Sequence, residues 1–414
     1  MTLNYIWIAF FVLAFVAAML QWIFTGNSEV FKTVIDSTFS SSKMAVMDLA
    51  LPLVGVMSLW LGLMSIGERA GAVGFLARIA GPFFSRLFPE IPKNHPVTGQ
   101  LLMNFSANML GLDNAATPLG LKAMNGLQEL NPKKDVASNA QIMFLVLNTS
   151  SLTIIPVSIF AQRAILGAAN PTDVFIPILI ATACSTLAGM IYVCVRQRIK
   201  LFDPVIMAWL GGIIAFVALA VVGFARMSES RLEAVSKLAS NLILFGIIIA
   251  FMTAAIVRRV NAFEAFIEGA KRGFAIMIKV TPYLVGMIVG IAAFRASGAM
   301  DFLIDGLSSG LKSLGIDAAF TPALPTALMK PLSGSGARAM MIETMSACGA
   351  DSFVGRLSCV FQGAADTTFY IIALYFGAAG IRKTRYAIAG GLIADLVGVI
   401  AAIAVCYLFF NYEL

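Results

Sequence analysis

The chain has 414 residues, of which 59% are hydrophobic and only 12% are charged. Soluble domains carry roughly 25% charged residues, so the sequence predicts a polytopic membrane protein and excludes the soluble enzyme classes. The net charge of +7 does not indicate a nucleic-acid partner, because the lysines and arginines are scattered through short predicted loops. The expected partner is the lipid bilayer.

Nine apolar runs are long enough to cross a bilayer, for which a helix needs about 20 residues. They are residues 4–24, 44–66, 139–165, 173–195, 205–225, 240–257, 274–294, 357–377 and 387–410. Two further stretches, 98–128 and 319–349, are interrupted by glycine and proline, which end one helix and start another. Each half is too short to span the bilayer, so both stretches are predicted to be re-entrant helical hairpins. The expected fold class is therefore an all-α polytopic membrane protein.

The distribution of positive charge predicts the orientation. With the N-terminus in the cytoplasm, the inside loops hold 16 lysines and arginines and the outside loops hold 8. This bias follows the positive-inside rule. We expect a multi-pass protein of the bacterial inner (cytoplasmic) membrane with a cytoplasmic N-terminus.

An internal repeat divides the chain. Residues 53–57 (LVGVM) recur as 284–287 (LVGM), and each copy is followed by an amphipathic stretch, a broken hairpin and two spans. The two copies start on opposite sides of the membrane, which predicts the inverted repeats typical of secondary transporters. The predicted divisions are an N-terminal span and loop (1–43), a first repeat (44–200), a linking pair of spans (201–260) and a second repeat (261–414). The linking pair suggests scaffold or oligomer contacts, with a homodimer as the expected oligomer.

The first hairpin carries polar residues at its break. Asn114 is a natural N-cap for the second half-helix, which would direct unpaired N–H groups into the membrane. Asp113 is at the same depth, where an ionisable group is costly and usually functional. The candidate substrate-binding residues here are Asn104, Asn108, Asp113, Asn114 and Thr117.

The second hairpin suits an anion. Its glycines permit close backbone approach, its serines supply hydroxyls and a cap, and two cations flank the break. The candidate residues are Lys330, Ser333, Gly334, Ser335, Gly336 and Arg338. The alternative is that Arg338 pairs structurally with Asp113 or Asp366 across the hairpins.

Two predicted spans contain polar patches at matching places in the repeats. Local unwinding there would free backbone carbonyls for a substrate or a coupling ion, whereas the alternative is hydrogen bonding between helices. The candidate residues are Asn148, Ser150 and Ser151 in one span and Gln362, Asp366 and Thr367 in the other. Asp48 and Asp395 are placed near span ends or on outer helices, away from this centre.

These patterns favour a secondary transporter of a small polar solute, with a substrate that pairs a carboxylate with a hydrogen-bonding or cationic remainder. An amino acid, a small carboxylate and a nucleoside-like solute all fit. No phosphate-binding loop, nucleophile–base pair or second histidine is present, so we expect no enzyme, no cofactor and no metal site, with histidine-pair sites excluded and a hard-ion site of aspartate, asparagine and carbonyl oxygens left open. A coupling ion, Na⁺ or H⁺, stays unassigned. The alternatives are a membrane scaffold or accessory protein and a metal-ion permease.

The motifs carry a family resemblance. Residues 108–120 (NMLGLDNAATPLG) resemble spore maturation protein A, and residues 330–337 (KPLSGSGA) resemble spore maturation protein B. Both belong to the nucleoside-recognition (Gate) domain family, which is similar to the membrane part of ferrous-iron transporter B and, more distantly, to concentrative nucleoside transporters. The resemblance implies a fusion of an A-like and a B-like half.

Overall fold

The computed structural model describes most of the chain and is built from helices. The described residues are 2–92, 95–109, 113–150, 152–153, 156–225, 229–315 and 317–410. They form α-helices with one π-helical and one 3₁₀ turn, and no β-strand occurs in these ranges. The predicted all-α class is confirmed.

The helices alternate between long rods and short, broken pieces. In chain order they are α1 (Thr2–Thr25), α2 (Glu29–Met44), α3 (Leu51–Arg69), α4 (Ala72–Leu87), α5 (Pro96–Met109), α6 (Asp113–Leu130), α7 (Asn139–Ser150), α8 (Val157–Ile165), α9 (Phe175–Gln197), α10 (Pro204–Ala225), α11 (Glu229–Val257), α12 (Ala262–Ala296), α13 (Ala299–Ser313), α14 (Leu324–Met329), α15 (Gly334–Cys348), α16 (Phe353–Ala364), α17 (Thr368–Ala378) and α18 (Ala387–Phe409).

Several of these helices are apolar and long enough to cross a membrane. Within the described ranges there are five: Trp7–Thr25, Glu29–Arg69, Phe175–Gln197, Phe353–Ala378 and Ala387–Phe409. A sixth forms if Val285–Ala296 and Ala299–Ser313, which meet at a 68° bend, are counted as one span. The protein is therefore a multi-pass membrane protein, although length and composition identify fewer spans than the nine predicted.

The prediction of a loop at residues 25–43 is wrong, because most of this segment is helical. Helix α2 continues into α3 through the π-helical turn Ala45–Ala50, so that Glu29–Arg69 is a single 41-residue rod. No glycine or proline lies between residues 29 and 51 to end a helix. Packing stabilises this polar segment: the Ser37 hydroxyl lies 3.4 Å from the Ala292 carbonyl of α12.

Two predicted spans are not continuous helices. The span 139–165 is divided into α7 and α8, and the span 357–377 is divided into α16 and α17. The second hairpin breaks where expected, between α14 and α15, whereas the first comprises α5 and α6, and the break predicted between them falls at 110–112, outside the described residues. Helix α14 has only six residues and follows a 3₁₀ turn, Thr321–Ala323. The first half-helix of the second hairpin is therefore shorter than the sequence suggested.

The same turn introduces both amphipathic helices. Gly71 precedes α4 with φ +90° and Gly298 precedes α13 with φ +75°, a conformation that an L side chain rarely adopts. The order of elements after each turn is the same. A broken hairpin is followed by a broken helix and then by a long apolar helix, α9 in one case and α18 in the other.

Helices α3 and α12 pack backbone against backbone, which holds the two halves of the chain together. A Cβ at Gly273 would lie 2.9 Å from the carbonyl carbon of Met57, and one at Gly269 would lie 2.7 Å from the Ser65 Cβ. Glycines four residues apart permit such close contact between membrane helices. The pairing is antiparallel, because the later glycine meets the earlier part of α3.

The two broken helices also run antiparallel and are joined at both ends. At one end the backbone N–H groups of Arg382 and Lys383 donate to the Asp135 carbonyl at 2.9 Å. At the other end the Arg163 guanidinium, from α8, donates to the Ala350 carbonyl at 2.6 Å. Between these ends the Asp366 N–H donates to the Thr149 carbonyl at 2.7 Å. The unwound segments therefore meet at the centre.

Candidate functional site

The first hairpin contributes Asn104 and Asn108 to this centre, and together with Asn148 we call them the asparagine ladder. Asn104 Nδ2 donates to the Ala116 carbonyl at 2.8 Å, which ties α5 to α6. Asn108 Nδ2 donates to Asn148 Oδ1 at 2.8 Å, and Asn148 Nδ2 in turn donates to the Phe144 carbonyl at 2.8 Å. The ladder connects the hairpin to the broken helix α7–α8 and fixes the orientation of the Asn148 amide.

Three predicted site residues cannot be placed. The side chains of Asp113 and Asn114 and the whole of Ser151 lie outside the described residues. The N-cap expected at Asn114 therefore stays a prediction. Helix α6 begins at Asp113, and the side chain of Thr117, one turn later, faces the central cavity.

The second hairpin breaks just before Gly334, where α15 begins. Ser333 caps the helix as predicted, because its hydroxyl accepts from the Gly336 N–H at 3.0 Å. The Ser335 hydroxyl lies 3.3 Å from that of Ser333. Lys330 is buried beside the break, and Arg338 follows one helical turn after Gly334, so both cations lie at the start of α15.

Glu343, in α15, pairs with an arginine outside the chamber lining. Its carboxylate forms an ion pair with Arg295 at the end of α12. The pair joins α15 to the last turn before Gly298. The Asp366 carboxylate, in contrast, lines the cavity.

Where the predicted hairpins and polar patches meet, they enclose a cavity of about 370 Å³. Eight of the seventeen candidate residues line it: Asn108, Thr117, Asn148, Lys330, Gly334, Arg338, Gln362 and Asp366. Six others pack outside this lining: Asn104, Ser150, Ser333, Ser335, Gly336 and Thr367. Residues separated by more than 250 positions in the sequence thus share one chamber.

Four helices direct their N-terminal ends at this cavity. First-turn residues that line it are Ala116 of α6, Val157 of α8, Gly334 of α15 and Tyr370 of α17. The unpaired N–H groups of a helix start carry roughly half a positive charge. Together with Lys330 and Arg338, these helix starts place positive charge around the chamber, and the carboxylate among the described lining residues is that of Asp366.

One wall of the chamber offers an unpaired acceptor. Gln362 is only 6% exposed, and its Oε1 has no hydrogen-bond partner among the residues that the structure describes. A buried carbonyl oxygen without a partner is unfavourable by about 1–3 kcal/mol. A ligand N–H or O–H group in the cavity would satisfy it.

Sequence reasoning missed the aromatic side of the chamber. Tyr375 lines the cavity, is 4% exposed and reaches Asn148 Oδ1 with its hydroxyl at 3.5 Å. Its ring stacks on Phe144 with the centroids 5.6 Å apart. Tyr370, Thr153 and Ser158 also line the cavity. The only sequence signal was a tyrosine in an apolar run, which does not distinguish a site from a membrane interface.

Asp395, predicted near a span end or on an outer helix, is in a different place. It lies in the middle of α18, is 6% exposed, and its Oδ2 accepts from the Thr368 hydroxyl at 2.7 Å. Thr368 is the first residue of α17. The placement from sequence was wrong because it could not show that α18 packs against the broken helices.

No group of three or more histidine, cysteine, aspartate or glutamate side chains in the described part of the chain is arranged to hold a metal ion. The polar groups of the chamber are instead amides, hydroxyls, two cations and one described carboxylate.

Comparison with known proteins places the chain in a family. The sequence profile of the Gate domain, described as nucleoside recognition, matches residues 50–166 and 277–382, so the chain belongs to the Gate family. Within that family it is spore maturation protein-like. The two matched segments contain both hairpins and both broken helices.

Two relatives from Bacillus subtilis (strain 168) support this assignment. Spore maturation protein B is 44% identical over 155 residues, which are 37% of this chain and 85% of the relative. Spore maturation protein A is 38% identical over 188 residues, which are 45% of this chain and 92% of the relative. No solved structure matches the chain.

Proposed function

We propose that the protein is a secondary transporter of a small polar solute that carries a carboxylate. The observation that carries this proposal is the convergence of four helix N-termini with Lys330 and Arg338 on one cavity. Aligned N–H groups and fixed cations bind anions. Broken helices whose ends face a chamber are the arrangement by which transporters bind solutes near the midplane of the membrane.

The hydrogen-bond acceptors that line the cavity indicate the rest of the solute. Gln362 Oε1, the Asp366 carboxylate and the Asn148 amide all face the same cavity, and the first two accept hydrogen bonds. A solute with a carboxylate and with hydroxyl, amide or ammonium donors would satisfy both the cations and these acceptors. Amino acids and small carboxylates are the leading classes, and a nucleoside-like solute, which would use the hydrogen-bond acceptors without the carboxylate, is the third.

The proposed mechanism is alternating access between two inverted repeats. The antiparallel pairing of α3 with α12, and of α7–α8 with α16–α17, supports two copies of opposite orientation. In this proposal the chain crosses the inner membrane nine times, counting each broken helix as one crossing. The first hairpin enters from the cytoplasm and the second from the outside, and each closes one side of the chamber in turn.

Flux measurements test the proposal directly. The purified protein is reconstituted in proteoliposomes and given radiolabelled L-alanine, succinate and uridine, with protein-free liposomes as the control. We expect saturable exchange of at least one of these solutes, and succinate or L-alanine to exceed uridine. A scaffold or accessory protein would show no exchange of any panel member, while remaining folded and monodisperse in detergent.

The proposed topology makes a separate prediction. Cys348, at the base of the second hairpin, is exposed, and Lys133 is exposed in the connection after the first hairpin. We expect a membrane-impermeant maleimide to label Cys348 only from outside. In the Lys133→Cys/Cys348→Ser variant, the new cysteine should react only from the cytoplasmic side. Labelling of both positions from one side would show that the hairpins are not inverted.

A further inference from the structure

Asp395 is a buried carboxylate that the proposed substrate chamber does not use. It occupies the middle of α18, a helix that is otherwise almost entirely apolar. One oxygen, Oδ2, accepts from the Thr368 hydroxyl at 2.7 Å. The other, Oδ1, has no partner among the described residues. A carboxylate in this position is costly in its charged form, and intramembrane acids of this kind commonly relay protons.

The surroundings of Asp395 are hydroxyl-bearing or apolar. On the same face of α18, a Cβ at Gly391 would lie 3.4 Å from the Thr149 hydroxyl, and one at Gly398 would lie 3.2 Å from the Ser185 Cβ and 3.5 Å from the Ala364 Cβ. These contacts come from α7, α9 and α16. The charged groups near enough to act on Asp395, within the described part of the chain, are Lys330 and Asp366.

Asp395 is also connected to the substrate chamber through α17. Thr368 begins that helix and holds Asp395, while the next residue, Phe369, donates its N–H to the Pro331 carbonyl of the second hairpin at 3.0 Å. The first turn of α17 also lines the chamber through Tyr370. One helix start therefore contacts the acid, the hairpin and the cavity.

We propose that Asp395 is the proton-coupling residue of this protein and that a proton enters with an anionic solute. The inference rests on the proposed transport function. While it is ionised, Asp395 places a negative charge beside the positive end of α17 and partly cancels its attraction for the solute carboxylate. Protonation removes that charge, so proton and solute binding strengthen each other. Such coupling between two ligands is reciprocal.

Asp395→Asn mimics the protonated state and separates coupling from transport. The probe is whichever of L-alanine, succinate and uridine the native protein transports, and the membrane potential of the proteoliposomes is clamped at zero. A pH gradient of about one unit is expected to drive up to a tenfold accumulation of this probe, because one proton per solute carries that free energy. In Asp395→Asn we expect exchange of the same probe at equal pH to persist and accumulation to vanish. Asp48→Asn, an exposed carboxylate on the π-helical turn, is the matched control and should accumulate normally.

Infrared difference spectra give a readout that needs no solute. Between acidic and alkaline buffer, the native protein should show a protonated-carboxyl band that is absent from Asp395→Asn and present in Asp48→Asn. Thr368→Val, which removes the hydroxyl partner, should shift the pH dependence of that band without abolishing it.

The outcomes separate the inference from the function on which it rests. Tenfold accumulation by Asp395→Asn, an unchanged infrared band in that variant, or accumulation driven by sodium and not by pH would each overturn the assignment of Asp395. Absence of exchange for every probe in the native protein would instead reject the proposed transport function.

Discussion

Arg338→Gln is expected to abolish recognition of the solute carboxylate while leaving the folded protein intact. Arg338 lines the chamber one turn after the N-terminal residue of α15, so its guanidinium and the positive end of that helix act on the same region. Removing one partner of a buried charged contact costs about 2–5 kcal/mol. We therefore expect the exchange rate at low solute concentration to fall by about two orders of magnitude.

The comparison variant is Asp113→Asn, which removes an acid from the opposite hairpin. If the chamber binds an anion, this variant should retain measurable exchange while Arg338→Gln does not. Normal transport by Arg338→Gln together with inactivity of Asp113→Asn would contradict the anion site and favour a cationic substrate. Lys312→Gln, on the exposed end of α13, controls for loss of a positive charge and should transport normally.

The breaks in the helices could be predicted because they depend on local sequence. Pro331 and the glycines that follow end one half-helix, and Ser333 caps the next through a bond to a backbone N–H three residues later. Such signals act within a single turn. Residues from both predicted hairpins and from both polar patches line one cavity.

Features that depend on packing could not be predicted. The polar segment preceding Ala45 is helical because it packs on α12, although its serines and threonines favour other conformations. Asp395 lies at the centre because α18 packs against α7 and α9. Tyr375 lines the chamber because its ring stacks on Phe144. In each case the partner is distant in sequence, and hydropathy alone does not identify it.

The largest stability effect is expected at Arg163, in the network that joins the end of α8 to the start of α16. The Arg163 side chain is fully buried, with its guanidinium 2.8 Å from the Asp173 carboxylate and 3.0 Å from that of Asp351. It also donates to the Ala350 carbonyl at 2.6 Å. Arg356 binds the second oxygen of Asp173 at 2.8 Å. Two acids thus share two arginines, and the buried arginine bridges three segments of chain.

Arg163→Met keeps an unbranched apolar stem and removes the guanidinium, leaving both carboxylates with Arg356 alone. Breaking a buried ion pair in this way costs about 3–5 kcal/mol, so the unfolding midpoint in detergent should fall sharply. Arg86→Met removes a comparable but exposed contact, with Asp203 at 3.6 Å, and should change stability by about 1 kcal/mol or less. Adding Asp173→Asn to Arg163→Met should recover part of the loss, because Arg356 and Asp351, 3.6 Å apart, then remain as one balanced ion pair. If Arg163→Met unfolds at the same temperature as Arg86→Met, the network does not hold the two broken helices together.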